Sequence, residues 1–426
     1  MRAGAFLDAL AMDHQVTVLV VPVAGGGGGR RAADFTLRCA HRLAVLSLDD
    51  ALDPLYSLGA RQRDPGARLA ALRQYPRPHL CRWATSPALR AATAAITADG
   101  AAEPPPFAVV VVLRSYLAPY AAPFLSDPPT GPVTPRTLRV LDLDDDERLT
   151  HQRLSEMFTL QGRVEDALLA GAEAQKYARH EALWVPRFDL VLAVSGLHAA
   201  AVAERHPGAA RQVVPNSVET LPGRRRRRPC RGPALHLLFV GNLGYEPNVD
   251  AASWIAGEVV PRLRSVARQV ELRIAGANPA PAVVALAASG IEVWADPADL
   301  APHYDWADVA LAPLRAGGGT RIKILEAFAA RVPVVASRIG AEGLAVRDGR
   351  HLLLADDASG LAAACQRLRD DRPLARRLAG NALALVRRRY ARPAGVRHLR
   401  EVLRAASAAG PGRNDGHRVA SRAPGP

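Results

Sequence analysis

Short apolar runs alternate with helix-spaced segments along most of the chain, and the alternation is most regular in the second half. Residues 235–240 form an apolar run that ends at Gly241-Asn242-Leu243-Gly244. A helical spacing follows over about 248–264, with Asn248 as its expected N-cap. Further strand patterns lie at 270–275, 291–294, 308–314, 332–337 and 351–355, with helical patterns at 281–288, 300–306 and 358–369. A helix is also expected from Thr320, directly after Gly317-Gly318-Gly319. Short strands alternating with helices predict βαβ units and a parallel, doubly wound sheet. The first half alternates more loosely. It opens with a helical spacing at 3–10, and strand patterns follow at 16–21, 44–47, 107–113, 137–142 and 190–194.

These patterns predict two Rossmann-like domains, at 1–215 and 233–388, joined by an arginine-rich linker over 216–232. A C-terminal helix is expected at 389–407, and the Gly-, Pro-, Arg- and Ser-rich tail over 408–426 should be disordered. At 426 residues the chain exceeds the usual size of one domain. No segment reaches the roughly 18 consecutive apolar residues needed to span a bilayer.

Composition narrows the function classes. Four scattered cysteines without a CxxC pair indicate neither a zinc ribbon nor a disulfide framework, which fits a reducing cytoplasm. The net charge of +14 invites a nucleic-acid or membrane-surface reading. The basic run Arg224–Arg228 lacks interleaved aromatics, however, and reads better as a solvated or membrane-facing linker, so no nucleic-acid partner is expected. Only two of the 55 basic residues are lysines, Lys176 and Lys323. A lysine retained beside the 317–319 glycines is therefore suggestive of a role.

That turn carries the strongest chemical signal. Glycines between a strand and a helix let the backbone approach a ligand, and the free N–H groups of the first helical turn attract anions. Arg321 and Lys323 add positive charge there, and Glu326 lies one turn further on, placed to hydrogen-bond a hydroxyl. The five glycines at 25–29 lack the Gly-Lys-Ser/Thr ending of a P-loop and read as a connection. In the first half, the acidic stretch 141–147 follows a strand directly. Asp144 and Asp145 are the candidates to face a cleft, against the alternative of a solvated turn that caps the next helix. Arg114 could face the same cleft or be a surface arginine, and a lone His198 on a helix reads as structural.

With these loops the chain resembles the GT-B glycosyltransferases, and within them glycosyltransferase family 4. The likeness rests on Phe239-Val-Gly-Asn-Leu-Gly244, on Ala312 through Ala327, on 332–344, and, in the first half, on Asp189 to Ser195 and Val213-Val-Pro-Asn216. The resemblance implies a retaining hexosyl transfer from a nucleotide-diphosphate sugar to a glycan, lipid or small-molecule acceptor. The enzyme would be cytoplasmic, in the manner of polysaccharide biosynthesis, and the basic surface suggests an anionic acceptor or a peripheral, membrane-adjacent position. The resemblance also implies neither metal nor cofactor, since the nucleotide sugar is the donor substrate. Glu326 lines up with the carboxylate that holds the ribose hydroxyls; Gly318, Gly319 and Thr320 with backbone donors to the diphosphate; Arg321 or Lys323 with its basic partners; Gly241 and Asn242 with the loop facing the cleft. Two other readings stay open: a nucleotide-sugar epimerase of the same fold, and a non-catalytic or nucleic-acid-binding relative.

The chain departs from the family pattern twice. Gly318 stands where many members carry a glutamate. The opening apolar strand with its glycine pair is missing, which suggests a start assigned too late or a truncation.

Overall fold

In the computed structural model of the chain, residues 2–23, 36, 38–48, 53–97, 107–125, 137–220, 234–266 and 269–409 are described. The run Arg224–Arg228, the glycines at 25–29 and most of the tail lie outside these residues. The strands are β1 (Thr17–Val20), β2 (Arg42–Val45), β3 (Val109–Leu113), β4 (Leu138–Leu143), β5 (Leu190–Ala193) and β6 (Arg211–Val213) in the first half. The second half holds β7 (Leu235–Asn242), β8 (Val270–Ala277), β9 (Glu292–Ala295), β10 (Val309–Ala312), β11 (Val334–Ala336) and β12 (Leu353–Leu354). Among the described residues all pair in parallel, as a β1-β2 pair, a β3-β4-β5-β6 sheet and a β12-β11-β10-β7-β8-β9 sheet.

The second sheet shows why a continuous apolar run gives a central strand. Along β7, Leu237 and Phe239 point to one face and pack with Ile255, Leu263 and Leu361. Leu238 and Val240 point to the other, against Leu325, Phe328 and Val386. Side chains alternate across a strand, so a strand covered by helices on both faces needs apolar residues at every position. In the first half, every residue of β4 and β5 is buried.

The β1-β2 pair stands apart from the four-stranded sheet, and among the described residues no strand joins them. The helix Arg2–Leu10 packs Phe6 and Ala9 on Val140 and Leu192.

Several expected boundaries move. The helix expected from Asn248 begins at Glu246, because Pro247 presets a helical φ in the first turn. Asn248 is therefore not an N-cap but lies inside the helix, its amide free for other contacts. The helix continues through a π-type turn, Ile255–Val259, into Val260–Val266. The helix expected from Thr320 begins at Ile322, and the Thr320 hydroxyl caps no N–H. The C-terminal helix runs Arg392–Ala409, so Ala408 and Ala409 are helical rather than part of the tail. It returns to the first half, where Val396, Leu399 and Leu403 join the core of Phe6, Val140 and Leu192. Arg392 pairs with Asp8 at 2.7 Å and Arg400 with Asp13 at 2.5 Å. Among the described residues no helix is long and apolar enough to cross a membrane.

Candidate functional site

The glycine turn lies beyond the carboxyl end of β10, where ligands of doubly wound sheets bind. Gly317 adopts φ +118°, open only to glycine, and the chain then enters the helix Ile322–Ala329 through Arg321. Arg321 is buried. Its Nη1 donates to the Gly319 carbonyl at 2.6 Å, while Nε and Nη2 have no hydrogen-bond partner. The Thr320 hydroxyl is also unpartnered.

Lys323 donates to Asn248 Oδ1 at 2.6 Å and lies 4.2 Å above the Phe239 ring. Among the described residues, neither Arg321 nor Lys323 has a carboxylate within ion-pair distance. Burial lowers the pKa of both, and with Arg321's charge it brings Lys323 down to about 7. A buried cation without a paired counter-charge costs several kcal/mol, and Asp145 and Glu342 offset this for Arg321 only from a longer range.

Glu326 lies one turn on, and its Oε2 accepts from the Tyr304 hydroxyl at 3.0 Å. Burial raises its pKa against the opposing effects of that hydrogen bond and of Lys323. Gly241 lies close under Lys323, whose Nζ would be 3.0 Å from a Cβ added at that position. Asn242 turns its side chain to its own loop, where Oδ1 accepts from the Gly244 N–H at 3.2 Å. Its carbonyl accepts from Asn248 Nδ2 at 2.8 Å. Gly241, Arg321, Lys323 and Glu326 thus share one end of the second sheet, while Asn242 shapes the loop beside them.

The acidic turn after β4 meets the glycine turn from the opposite side, and its carboxylates divide the work. Asp146 caps the helix Glu147–Leu160, accepting from the Leu149 N–H at 3.0 Å, and pairs with Arg205 at 2.9 Å. Asp144 faces inward, accepting from Arg114 Nη2 and Asn216 Nδ2, each at 2.8 Å. Asp145 borders Gly319 and accepts from the Thr150 hydroxyl at 3.2 Å. Of the two aspartates expected in the cleft, Asp145 turns its side chain to the glycine turn, whereas Asp144 meets Gly319 through its backbone carbonyl. Arg114 stands at φ +78°, which aims its guanidinium into this cluster. Glu147 is pushed up to about 8 by burial and by the charge of Asp145.

Closure explains the glycine at 318. A Cβ there would run into the Asp146 carbonyl and lie 2.9 Å from Thr150 Oγ1. The space a glutamate would need is filled by the acidic turn. A cavity of about 40 Å³ remains, lined by Asp146, Ser195, His198, Gly318, Thr320 and Gly343. That volume holds no more than a few waters, so a larger ligand enters this side only when the walls part. His198 is buried with both ring nitrogens unpartnered.

The helix Glu147–Leu160 couples the two walls. Arg153 donates to the Gly317 carbonyl at 2.7 Å and to both carboxylate oxygens of Glu342, at 2.6 and 2.8 Å. Leu154, Met157 and Phe158 pack around Ala316. Arg153, Glu342, Tyr304 and Asn248 escape sequence reasoning, since nothing in their local spacing distinguishes them from surface or core residues.

The position of Lys323 gives an expected pH dependence. Its folded pKa lies below that of the unfolded chain, so between about pH 7 and 10 the unfolded state binds more protons and this residue's contribution to stability rises with pH. An anion bound beside Lys323 would draw a proton back onto it. Anion affinity should fall up to roughly tenfold per unit above pH 7, with about one proton taken up on binding. Calorimetry in buffers of different ionisation enthalpy checks this; binding at pH 8 without proton uptake would contradict it.

The family described as glycosyl transferases group 1 matches residues 234–371, the segment holding the glycine turn, Lys323 and Glu326. An uncharacterised 44.6 kDa protein of the cps region of Klebsiella pneumoniae is 28% identical over 131 residues, or 29% of this chain and 34% of that protein. The match thus spans about a third of the length of that curated relative. Anabaena HepE, solved in complex with UDP and glucose, superposes with a TM-score of 0.57 at 14% identity, covering 94% of this chain and 95% of that one. The sucrose-phosphate synthase of Thermosynechococcus elongatus superposes with a TM-score of 0.58 at 14% identity, covering 93% and 100%. TarM reaches 0.53 at 11% identity over 70% of this chain and 54% of that one. The chain has the GT-B fold, and its residues 234–371 match the family described as glycosyl transferases group 1.

Proposed function

We propose that the protein is a retaining glycosyltransferase that moves a sugar from a nucleotide-diphosphate sugar to a glycan, lipid or small-molecule acceptor. One observation carries this reading. Arg321 is buried and Lys323 half-buried, neither with a carboxylate within ion-pair distance, beside a glycine turn and a helix N-terminus, with the Thr320 hydroxyl and two guanidinium nitrogens unpartnered. A diphosphate supplies the missing charge and acceptors. As the sugar–oxygen bond breaks, negative charge grows on the leaving diphosphate. Cations and N–H groups already in place favour that state without reorganising.

The remaining residues take roles that follow from their positions. Glu326, held by Tyr304, accepts hydrogen bonds from the ribose hydroxyls. Asp145 orients the acceptor hydroxyl and receives its proton, and Asp144 fixes Arg114 behind it. The fold shared with HepE, crystallised with UDP and glucose, supports a nucleotide-sugar donor.

Replacing Glu326 by alanine tests the donor seat. The rise in melting temperature on adding a nucleoside diphosphate should vanish at concentrations that stabilise the parent, because a hydrogen bond to a charged group contributes about 1.5–3 kcal/mol. Tyr304→Phe, which frees Glu326 without removing it, should weaken the response only a few-fold. An undiminished response in Glu326→Ala would remove the ribose role.

A further inference from the structure

The first half contains a second cluster that the donor seat does not use. The short helical turn His79–Cys81, the helix Glu147–Leu160 and the helix Val164–Trp184 bring His79, His151 and Glu173 together, with one ligand atom from each within 4.8 Å of the others. Each side chain is already oriented. His151 Nδ1 donates to the Glu147 carbonyl at 2.8 Å, which fixes the tautomer and leaves Nε2 as a lone-pair donor. The ring also lies 5.0 Å from the Tyr177 ring, which limits its rotation. Glu173 divides its two oxygens. Oε1 accepts from Lys176 Nζ at 2.7 Å, and Oε2 faces His79, whose backbone N–H and Nδ1 lie at 2.8 and 3.1 Å. Burial would raise the Glu173 carboxyl, but His79 and Lys176 outweigh it and hold the group down at about 2, so it is ionised. Burial keeps His151 neutral at pH 7.

We infer that His79, His151 and Glu173 form a binding site for a zinc-type divalent ion, with a fourth position open to water through the half-exposed His79. The donors are His79 Nδ1, His151 Nε2 and Glu173 Oε2. The His79 proton shifts to Nε2 as the ion takes its place against Glu173. Two imidazoles and one carboxylate are a familiar zinc set. One carboxylate oxygen beside an ammonium group is a poor offer to calcium or magnesium, which need more oxygen ligands. Tetrahedral ligands on zinc stand about 3.3 Å apart, so the His79–Glu173 edge has its spacing already and no pair need close by more than about 1.5 Å. The ion would clamp together three elements, one of which is the helix that carries Asp146 at its start and Arg153 against Gly317.

The test uses the full-length chain stripped of metal by chelation and titrated with zinc chloride by calorimetry, with magnesium chloride as control. One zinc per chain should bind with micromolar Kd and raise the melting temperature, while magnesium does neither. His151→Asn and Glu173→Gln should each weaken zinc binding at least tenfold. His398→Asn, on the C-terminal helix, should leave it unchanged and so tests for adventitious histidine binding. Melting of the variants without metal separates lost binding from lost folding. Absence of one-to-one binding in the parent, or equal zinc affinity in a folded His151→Asn protein, would overturn the site.

Discussion

Arg321→Met should lose nucleoside-diphosphate binding by about 100-fold and yet unfold at the same temperature as the parent, or higher. Both effects have one source. In the free protein the guanidinium is buried, makes one hydrogen bond at 2.6 Å to Gly319 and leaves Nε and Nη2 empty. Its pKa is lowered by burial, which means that the fold opposes its charge. Methionine of similar length removes that opposition and fills the volume, a change often neutral or stabilising for buried charges. With a diphosphate present, two charge-assisted hydrogen bonds are lost. At about 1.5–3 kcal/mol each, less the neutral packing that replaces them, the deficit is about 3 kcal/mol, or roughly 100-fold in affinity. A structural arginine behaves the opposite way, with the melting temperature falling and ligand affinity holding. Scanning calorimetry with and without ligand distinguishes the two.

Gly318→Glu restores the side chain that the family resemblance implies, and it should damage the protein rather than improve it. The Cβ alone meets the Asp146 carbonyl and comes within 2.9 Å of Thr150 Oγ1 and 3.0 Å of Asp145 Oδ1. A glutamate adds a negative charge beside Asp145 and Asp146, where like charges repel. The glycine and acidic turns then cannot close on each other. Because a displacement of about 1 Å can lower a rate about 100-fold, turnover should fall by at least that factor. Nucleoside-diphosphate affinity should change less than tenfold, since Arg321, Lys323 and Glu326 stay on the second domain's own helix. Donor turnover and small-angle scattering check the two halves of this expectation. Unchanged turnover with unchanged dimensions would show that the closed contact plays no part in the reaction.

The sequence revealed the second half of the fold far better than the first. Strands such as β7 and β10 are continuous apolar runs bounded by glycine or aspartate, and their buried, two-sided packing requires that pattern. The place of the glycine turn after a strand was legible because its residues, from Gly318, Gly319 and Thr320 to Arg321, Lys323 and Glu326, are contiguous. The closure around them was not. Arg153 and Glu342 are 189 residues apart, and no local spacing forecasts their pairing. Asp144 and Asp145 looked equivalent in sequence, and only the register of β4 turns one toward Arg114 and the other toward Gly319. Asn248 looked like a helix cap because it precedes an apolar run, but the neighbouring proline starts the helix earlier and frees its amide for Lys323. The extents of the helices Glu147–Leu160 and Val164–Trp184 are not legible in the sequence. Their exposed faces carry Leu160, Val164 and Leu168, and their inner faces carry Lys176, His180 and Glu181, which blurs the amphipathic period.

The most direct measurement titrates the unmodified chain with a panel of nucleoside diphosphates, their parent nucleosides and a polyanion such as heparin, by calorimetry at pH 7. At least one diphosphate should bind one-to-one while its nucleoside binds at least 100-fold more weakly, because the diphosphate is what Arg321 and Lys323 lack. If every diphosphate fails and the polyanion alone binds, with an affinity that collapses as salt is raised, the buried cations are not a nucleotide seat and the proposed function falls with them.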